Sequence, residues 1–135
     1  MIRRVSISVA AQGLHSITDK IQAAVSQAPS SEGLCTVFVQ HTSASLLVQE
    51  NYDPSAQADL ENWLNRLVPE NDPLYTHTLE GPDDMPAHIK SALTTTSVAV
   101  PYVDHRLLLG TWQGIYLWEH RLGRNTRTVI VHCSP

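Results

Sequence analysis

An α+β fold of mainly antiparallel strands, a sheet or sandwich covered by a few helices, is what this 135-residue sequence predicts. Three observations carry that expectation. Residues 3–10 alternate apolar and polar side chains at the period of a half-buried strand; two central segments place proline in a first helical turn; and β-branched and aromatic residues dominate after Thr94-Thr95-Thr96. The length suits one domain over residues 1–135, since two independently stable cores would not fit.

Taken in order, Val5, Ile7 and Val9 share one side of the first predicted strand, opposite Arg4, Ser6 and Ser8. Ser16-Ile17-Thr18-Asp19 resembles a capping box, and Ile17, Ile21, Ala24, Val25 and Ala28 follow at helical spacing, so a helix is expected to about Gln27, before Pro29. Gly33 opens a core strand through Thr36–Val39 that ends at His41, and Ser45–Gln49 reads as another short strand. Asp53-Pro54 starts a second helix whose expected apolar stripe is Ala56, Leu60, Trp63, Leu64 and Leu67. Residues 68–80 are turn-rich, with Pro69, Asn71, Asp72 and Pro73 close together. A third helix begins near Asp84, with Pro86 in its first turn and Ile89 and Leu93 on its expected buried face. Strands are then expected over 98–100, 107–109, 111–121 and 126–132. The turn at Gly123-Arg124-Asn125 predicts that the last two form an antiparallel hairpin.

Composition excludes several classes. Hydrophobic residues at 42% and charged residues at 16% are those of an ordinary folded protein, without the polarity of a disordered chain or the apolar run of a membrane span. A net charge of −4 argues against a basic nucleic-acid footprint over the whole surface. Arg3 and Arg4 precede an alternating segment and not a signal-peptide core, so a cytosolic location is expected. Cys35 and Cys133 are distant in sequence and read as buried thiols. Seven histidines beside nine Lys plus Arg is the unusual count, because imidazole is both the commonest metal ligand and the acid/base nearest neutrality.

Two segments concentrate chemistry. Gln40-His41-Thr42-Ser43-Ala44-Ser45 sets an imidazole and three hydroxyls at a strand end, where the hydroxyls serve either a ligand or turn amides. The run from Tyr75 to Lys90 compresses His77, His88, Glu80, Asp83, Asp84 and a lysine into one turn-to-helix stretch. Imidazole with carboxylate suits a divalent transition metal; the spacing is not a helical H-E-x-x-H motif. Arg121, Arg124 and Arg127 suit phosphate, against the alternative of a solvated hairpin edge. Trp112 and Gln113 offer a stacking ring and an amide. Trp118 is read as core or interface, and Glu119 falls on the face opposite Tyr116 and Trp118. His15, His105 and His132 are read as surface or structural residues, with His120 left open.

His41-Thr42-Ser43-Ala44-Ser45, Glu50-Asn51 with Asp53-Pro54, the run Glu80 to Lys90, and Leu109-Gly-Thr-Trp-Gln-Gly-Ile115 with Glu119-His120-Arg121 resemble, in order and over nearly the whole chain, the YjbQ family, named secondary thiamine-phosphate synthase. The resemblance implies an α+β fold rich in antiparallel strands, a homotrimer and a site between subunits. It implies His41, His77 and His88 as ligands of a divalent metal, zinc or magnesium. Glu50, Asp84, Gln113 and Glu119 become candidate catalytic residues, and Thr42, Ser43, Lys90, Trp112 and Arg121 candidate contacts to a phosphorylated small molecule. The implied reaction joins a pyrimidine diphosphate to a thiazole phosphate and releases pyrophosphate, which needs stabilised leaving-group charge more than covalent help. Two further readings use the same residues: metal-assisted hydrolysis of a phosphate ester, and a trimeric metal- or ligand-binding module without turnover. A Ser43/His41 nucleophilic pair is disfavoured, because no orienting acid is assigned to it.

Overall fold

The computed structural model describes residues 1–135 as β1 (Ile2–Val9), β2 (Gly13–Ser16), α1 (Thr18–Val25), β3 (Gly33–Val39), β4 (Ala44–Glu50), α2 (Pro54–Leu67), α3 (Asp84–Leu93), β5 (Ser97–Val103), β6 (Arg106–Leu107), β7 (Gln113–Glu119) and β8 (Asn125–Ser134). The strands form two antiparallel sheets, a larger one ordered β1-β8-β3-β5-β6 and a smaller one ordered β2-β7-β4. The α+β expectation therefore holds. Alternation explains the layering: Ile7 and Val9, Val37 and Val39, and Val129 and Val131 leave the larger sheet on the same side. They meet Ala44, Leu46, Ile115 and Leu117 from the smaller sheet, with α1 adding Ile21, Ala24 and Val25.

The smaller sheet is covered on its other face too. Leu14, Tyr116 and Trp118 pack there against Leu64 and Val68, with Leu60 and Ile89 partly buried beside them. This second layer is why β7 is buried along almost its whole length and cannot read as an amphipathic strand. None of the three helices is long and apolar enough to cross a membrane.

Several local expectations are corrected. Ser16 does not cap α1: it ends β2, which pairs with β7, and Ile17 is the N-cap, without a side-chain cap bond. α2 starts as expected, with the Asp53 carboxylate accepting from the Ser55 N–H at 2.9 Å ahead of Pro54. Of its predicted stripe, however, only Leu64 is buried, and Trp63 and Leu67 are more than half exposed. The contact face is rotated because polar residues on it make bonds: Glu61 accepts from the Leu14 N–H at 2.8 Å and Asn65 from Lys90 at 2.6 Å. α3 likewise buries Pro86, Ala87, Lys90 and Ser91 and leaves Leu93 exposed. The small residues allow close approach to β4, and the Ser91 hydroxyl donates to the Ala44 carbonyl at 3.2 Å.

The predicted terminal hairpin does not form. Gly123, at φ +79, makes the turn, but β7 lies between β2 and β4 and β8 lies between β1 and β3, so the intervening residues carry the chain from one layer to the other. Turn chemistry marks a reversal without saying which strands pair. Cys35 and Cys133 are free and buried as expected, and they face each other across β3 and β8.

Candidate metal centre

Residues 77–80 lie over the start of α3. On α3 itself, Asp84 and His88 stand one turn apart and share a face. One ligand atom each from His77, Glu80, Asp84 and His88 falls within 4.8 Å of all the others. Asp84 is the hub: its Oδ2 lies 2.6 Å from His77 Nε2 and 3.1 Å from His88 Nε2, while Glu80 Oε2 is 3.3 Å from His77 Nε2. The His77 and His88 rings meet edge to face with centroids 5.4 Å apart.

The orientation of His88 is informative. Its Nδ1 faces the Thr42 carbonyl at 3.1 Å, an acceptor only, so Nε2 is left with a lone pair whenever Nδ1 holds the ring's single proton. Nε2 nevertheless points at a carboxylate oxygen. A second proton on the ring or a cation between ring and carboxylate resolves the mismatch; a backbone carbonyl behind an imidazole is also the usual support of a metal-bound histidine.

Arg121 fixes the carboxylates from behind. Its Nε donates to Asp83 Oδ2 at 2.8 Å, its Nη1 to Asp84 Oδ1 at 2.7 Å and its Nη2 to the Glu80 carbonyl at 3.0 Å. Burial alone would raise the pKa of both aspartates. For Asp83 the Arg121 bond and the Leu122 N–H, and for Asp84 the His77 bond and the Arg121 charge, outweigh it and hold both carboxyls below the usual range. His77 is pushed the other way, chiefly by its bond to Asp84. A cavity of about 330 Å³ opens beside His77, lined by Tyr75, Thr78 and Met85 among others. Another, of about 270 Å³, opens between His88 and His41, lined by Thr42, Ser91 and Thr96.

Of the residues proposed from sequence, His77, His88, Asp84 and Arg121 come together, and Thr42 joins through its carbonyl. His41 stands outside the group: its Nε2 accepts from the Thr128 N–H at 2.8 Å and its Nδ1 lies 3.3 Å from Arg127 Nη1. Burial and then the Arg127 charge hold His41 below its usual value. Both its nitrogens face donors, the reverse of His88. Within the chain, Glu50 and Gln113 pair at one end of the smaller sheet whereas Glu119 pairs with Ala44 at the other, so neither Glu50 nor Gln113 reaches the group. Trp112 stays with them, half exposed, its ring 5.0 Å from that of Tyr52. Lys90 projects from α3 towards Asn65 and away from the group. Ser43 supports Arg127 through its carbonyl.

A second polar network lies beyond what the sequence predicts. Arg127, read as a solvated edge, is buried, and it grips the buried Glu119 with Nε on Oε1 at 2.7 Å and Nη2 on Oε2. Glu119 Oε2 also accepts the Arg121 N–H at 3.0 Å. On the opposite face of the smaller sheet, His120 Nε2 lies 2.8 Å from the Ser45 hydroxyl, and burial pushes this imidazole down to about 3. Glu80 is visible in the sequence as one of three carboxylates in its run. Its i+3 spacing from His77 and i−4 spacing from Asp84 are the signal that could have singled it out.

A family profile described as "UPF0047 protein YjbQ-like" matches residues 3–135. UPF0047 protein sll1880 of Synechocystis is 56% identical over 128 residues, 93% of this chain and 87% of that protein. UPF0047 protein YjbQ of Salmonella typhimurium is 45% identical over 129 residues, 95% and 93% of the two chains. Among solved structures, a conserved hypothetical protein from Thermus thermophilus superposes with a TM-score of 0.87 at 36% identity, covering 98% of this chain and 99% of that one. An uncharacterized yjbq/upf0047 family protein from Clostridium acetobutylicum gives 0.85 at 32%, covering 96% and 99%.

Proposed function

The chain belongs to the YjbQ-like UPF0047 family, and from that premise we propose that it is an enzyme of phosphorylated small molecules, working with a divalent metal held by His77, Glu80, Asp84 and His88. The observation that carries the reading is the mismatch between His88 and Asp84. Two imidazole nitrogens converge on a single carboxylate oxygen, and one of them has its other nitrogen already committed to a backbone carbonyl. Two imidazoles and two carboxylates form a donor set for zinc or a similar transition ion more than for magnesium, which takes mostly oxygen and water. Bound there, such an ion supplies Lewis-acid stabilisation of a phosphoryl or leaving-group oxygen. Arg121 acts as a positioning residue, because its donors are engaged by Asp83, Asp84 and the Glu80 carbonyl.

The specific reaction implied by the resemblance is thiamine phosphate synthesis, with the metal meeting the departing pyrophosphate. Hydrolysis of a phosphate monoester is the second reading. It is favoured by one observation: neither flanking cavity is lined by a lysine or arginine that would grip a diphosphate. A homotrimer, with a neighbouring subunit closing the site, would supply such groups, and we place the 135-residue unit in the cytosol as one domain.

Metal content of protein purified without added metal tests the site. We expect about one zinc-class ion per chain, lost in His88→Ala and Asp84→Ala; unchanged content in both variants rejects the ligand set. Turnover of thiazole phosphate with pyrimidine diphosphate, beside a panel of phosphate monoesters, separates synthase from hydrolase, and tight metal binding with no turnover leaves a binding module. Light scattering reads the trimer, and cell fractionation the location.

A further inference from the structure

β8 joins the two halves of the larger sheet, and near its end Cys133 stands directly opposite Cys35 of β3. The hydrogen-bonding pattern makes this a close pair. Cys133 uses its main-chain groups on the side away from β3: its N–H donates to the Met1 carbonyl at 3.0 Å, and its carbonyl accepts from the Met1 amino group at 3.1 Å. Towards β3 it is therefore a non-hydrogen-bonded position, where facing Cα atoms stand about 4.5 Å apart and side chains come closest. A disulfide spans Cα separations of about 4.4–6.8 Å, so the backbone need not move for the two residues to be bridged. Facing residues share a side of the sheet, and both thiols point into the core between the layers, free and buried. Neither belongs to the metal group.

We propose that Cys35 and Cys133 are a redox pair that closes to a disulfide in the folded chain, with a small organic disulfide as the oxidant. The thiolate of Cys133 attacks one sulfur of the oxidant, whose S–S bond breaks and releases a first small thiol. Cys35 then attacks the Cys133 sulfur of the mixed disulfide, forms the Cys35–Cys133 bond and releases the second. Two electrons and two protons pass from the cysteines to the oxidant. Burial, and then the facing Cys133, push the Cys35 thiol up to about 12, so the pair is inert while the core is closed. Access comes from local opening: Cys133 is one residue from the end of β8, and its main-chain partner Met1 precedes β1, so separation of these strand ends uncovers it while the centre of the sheet stays paired. Once formed, the bond staples the central strand β8 to β3. It joins residues separated by most of the sequence, the case in which a cross-link restricts the unfolded chain most.

The chain holds no other cysteine, so the products are unambiguous. The native chain is incubated with oxidised glutathione at about pH 8, remaining thiols are blocked with iodoacetamide, and intact mass and peptide maps are read. The unsubstituted chain is expected to lose two hydrogens and to yield a linked Cys35–Cys133 peptide without forming dimers. Cys35→Ser is expected to stop at a glutathione adduct on Cys133. The melting temperature of the oxidised chain is expected to rise by about 10 °C and to return on adding dithiothreitol. Stable glutathione adducts or linked dimers in place of the internal bond overturn the proposal. So does a disulfide that forms only at unfolding concentrations of urea, or one that lowers the melting temperature. The reaction needs no metal, so a chelator leaves it unchanged and its outcome is read separately from that of the metal centre.

Discussion

Around His88 both ring nitrogens face acceptors, the Thr42 carbonyl and the Asp84 carboxylate; around His120, on the outer face of β4 and β7, the ring meets a serine hydroxyl that can donate or accept. Carboxylates divide in the same way. Glu119 is fully buried and gripped by Arg127, whereas Glu80 stands largely in solvent beside His77. The same residue types thus make a satisfied network in one place and, in the other, a half-open group whose atoms converge without enough donors. Complete satisfaction rigidifies a core. Incomplete satisfaction beside a cavity invites a ligand, and for that reason the function is assigned to the exposed group.

Four experiments press on that contrast. The largest effect is expected from Glu119→Gln, which leaves Arg127 charged and buried without its partner: a loss of about 3–5 kcal/mol in urea unfolding. A loss under about 1 kcal/mol would mean that water reaches the pair, and the two regions would no longer differ in kind.

His120 gives the next effect, and its sign follows from burial. With a folded value near 3 against 6.5 for the unfolded chain, His120 is neutral in both states above pH 6.5. As pH falls below 6.5 the unfolded chain takes up a proton that the folded chain refuses, so stability drops by about 1.4 kcal/mol per pH unit towards pH 3. Comparing the pH slope of stability with that of His120→Asn isolates this contribution, and equal slopes would contradict it. Ser45→Ala, which removes the His120 partner, is expected to cost about 1–3 kcal/mol. The smallest effect is expected from His77→Ala. It should change metal-free stability by no more than about 0.5 kcal/mol, as for other exposed positions, while abolishing the rise in melting temperature on adding zinc. A large metal-free loss would make the group structural.

Periodicity reveals most of the elements, because β1, β3 and α2 carry local signals strong enough to survive packing. It fails where packing overrides them. β7 is covered on both faces, so its pattern cannot show that it belongs to a different sheet from β8. Arg127 looks like a hairpin-edge residue only under that mistaken pairing. At the metal group, the run from Tyr75 to Lys90 is legible as a concentration of ligands, and the structure brings His77, Asp84 and His88 together out of it. His41 cannot be separated from them by sequence, since its neighbours Arg127 and Thr128 lie 86 and 87 residues away.

The position of β8 bears on how the chain folds. It is the last strand in sequence, yet it sits between β1 and β3, pairing Val5 with Val129 and Val37 with Val131. The larger sheet cannot close until the final strand is in place, and β1 waits with an unpaired edge for most of the chain's length. Such distant pairing predicts slow folding governed by loop closure, with β1 the segment most open to misassociation meanwhile. Removing residues 125–134 would strip both β1 and β3 of their partner at once.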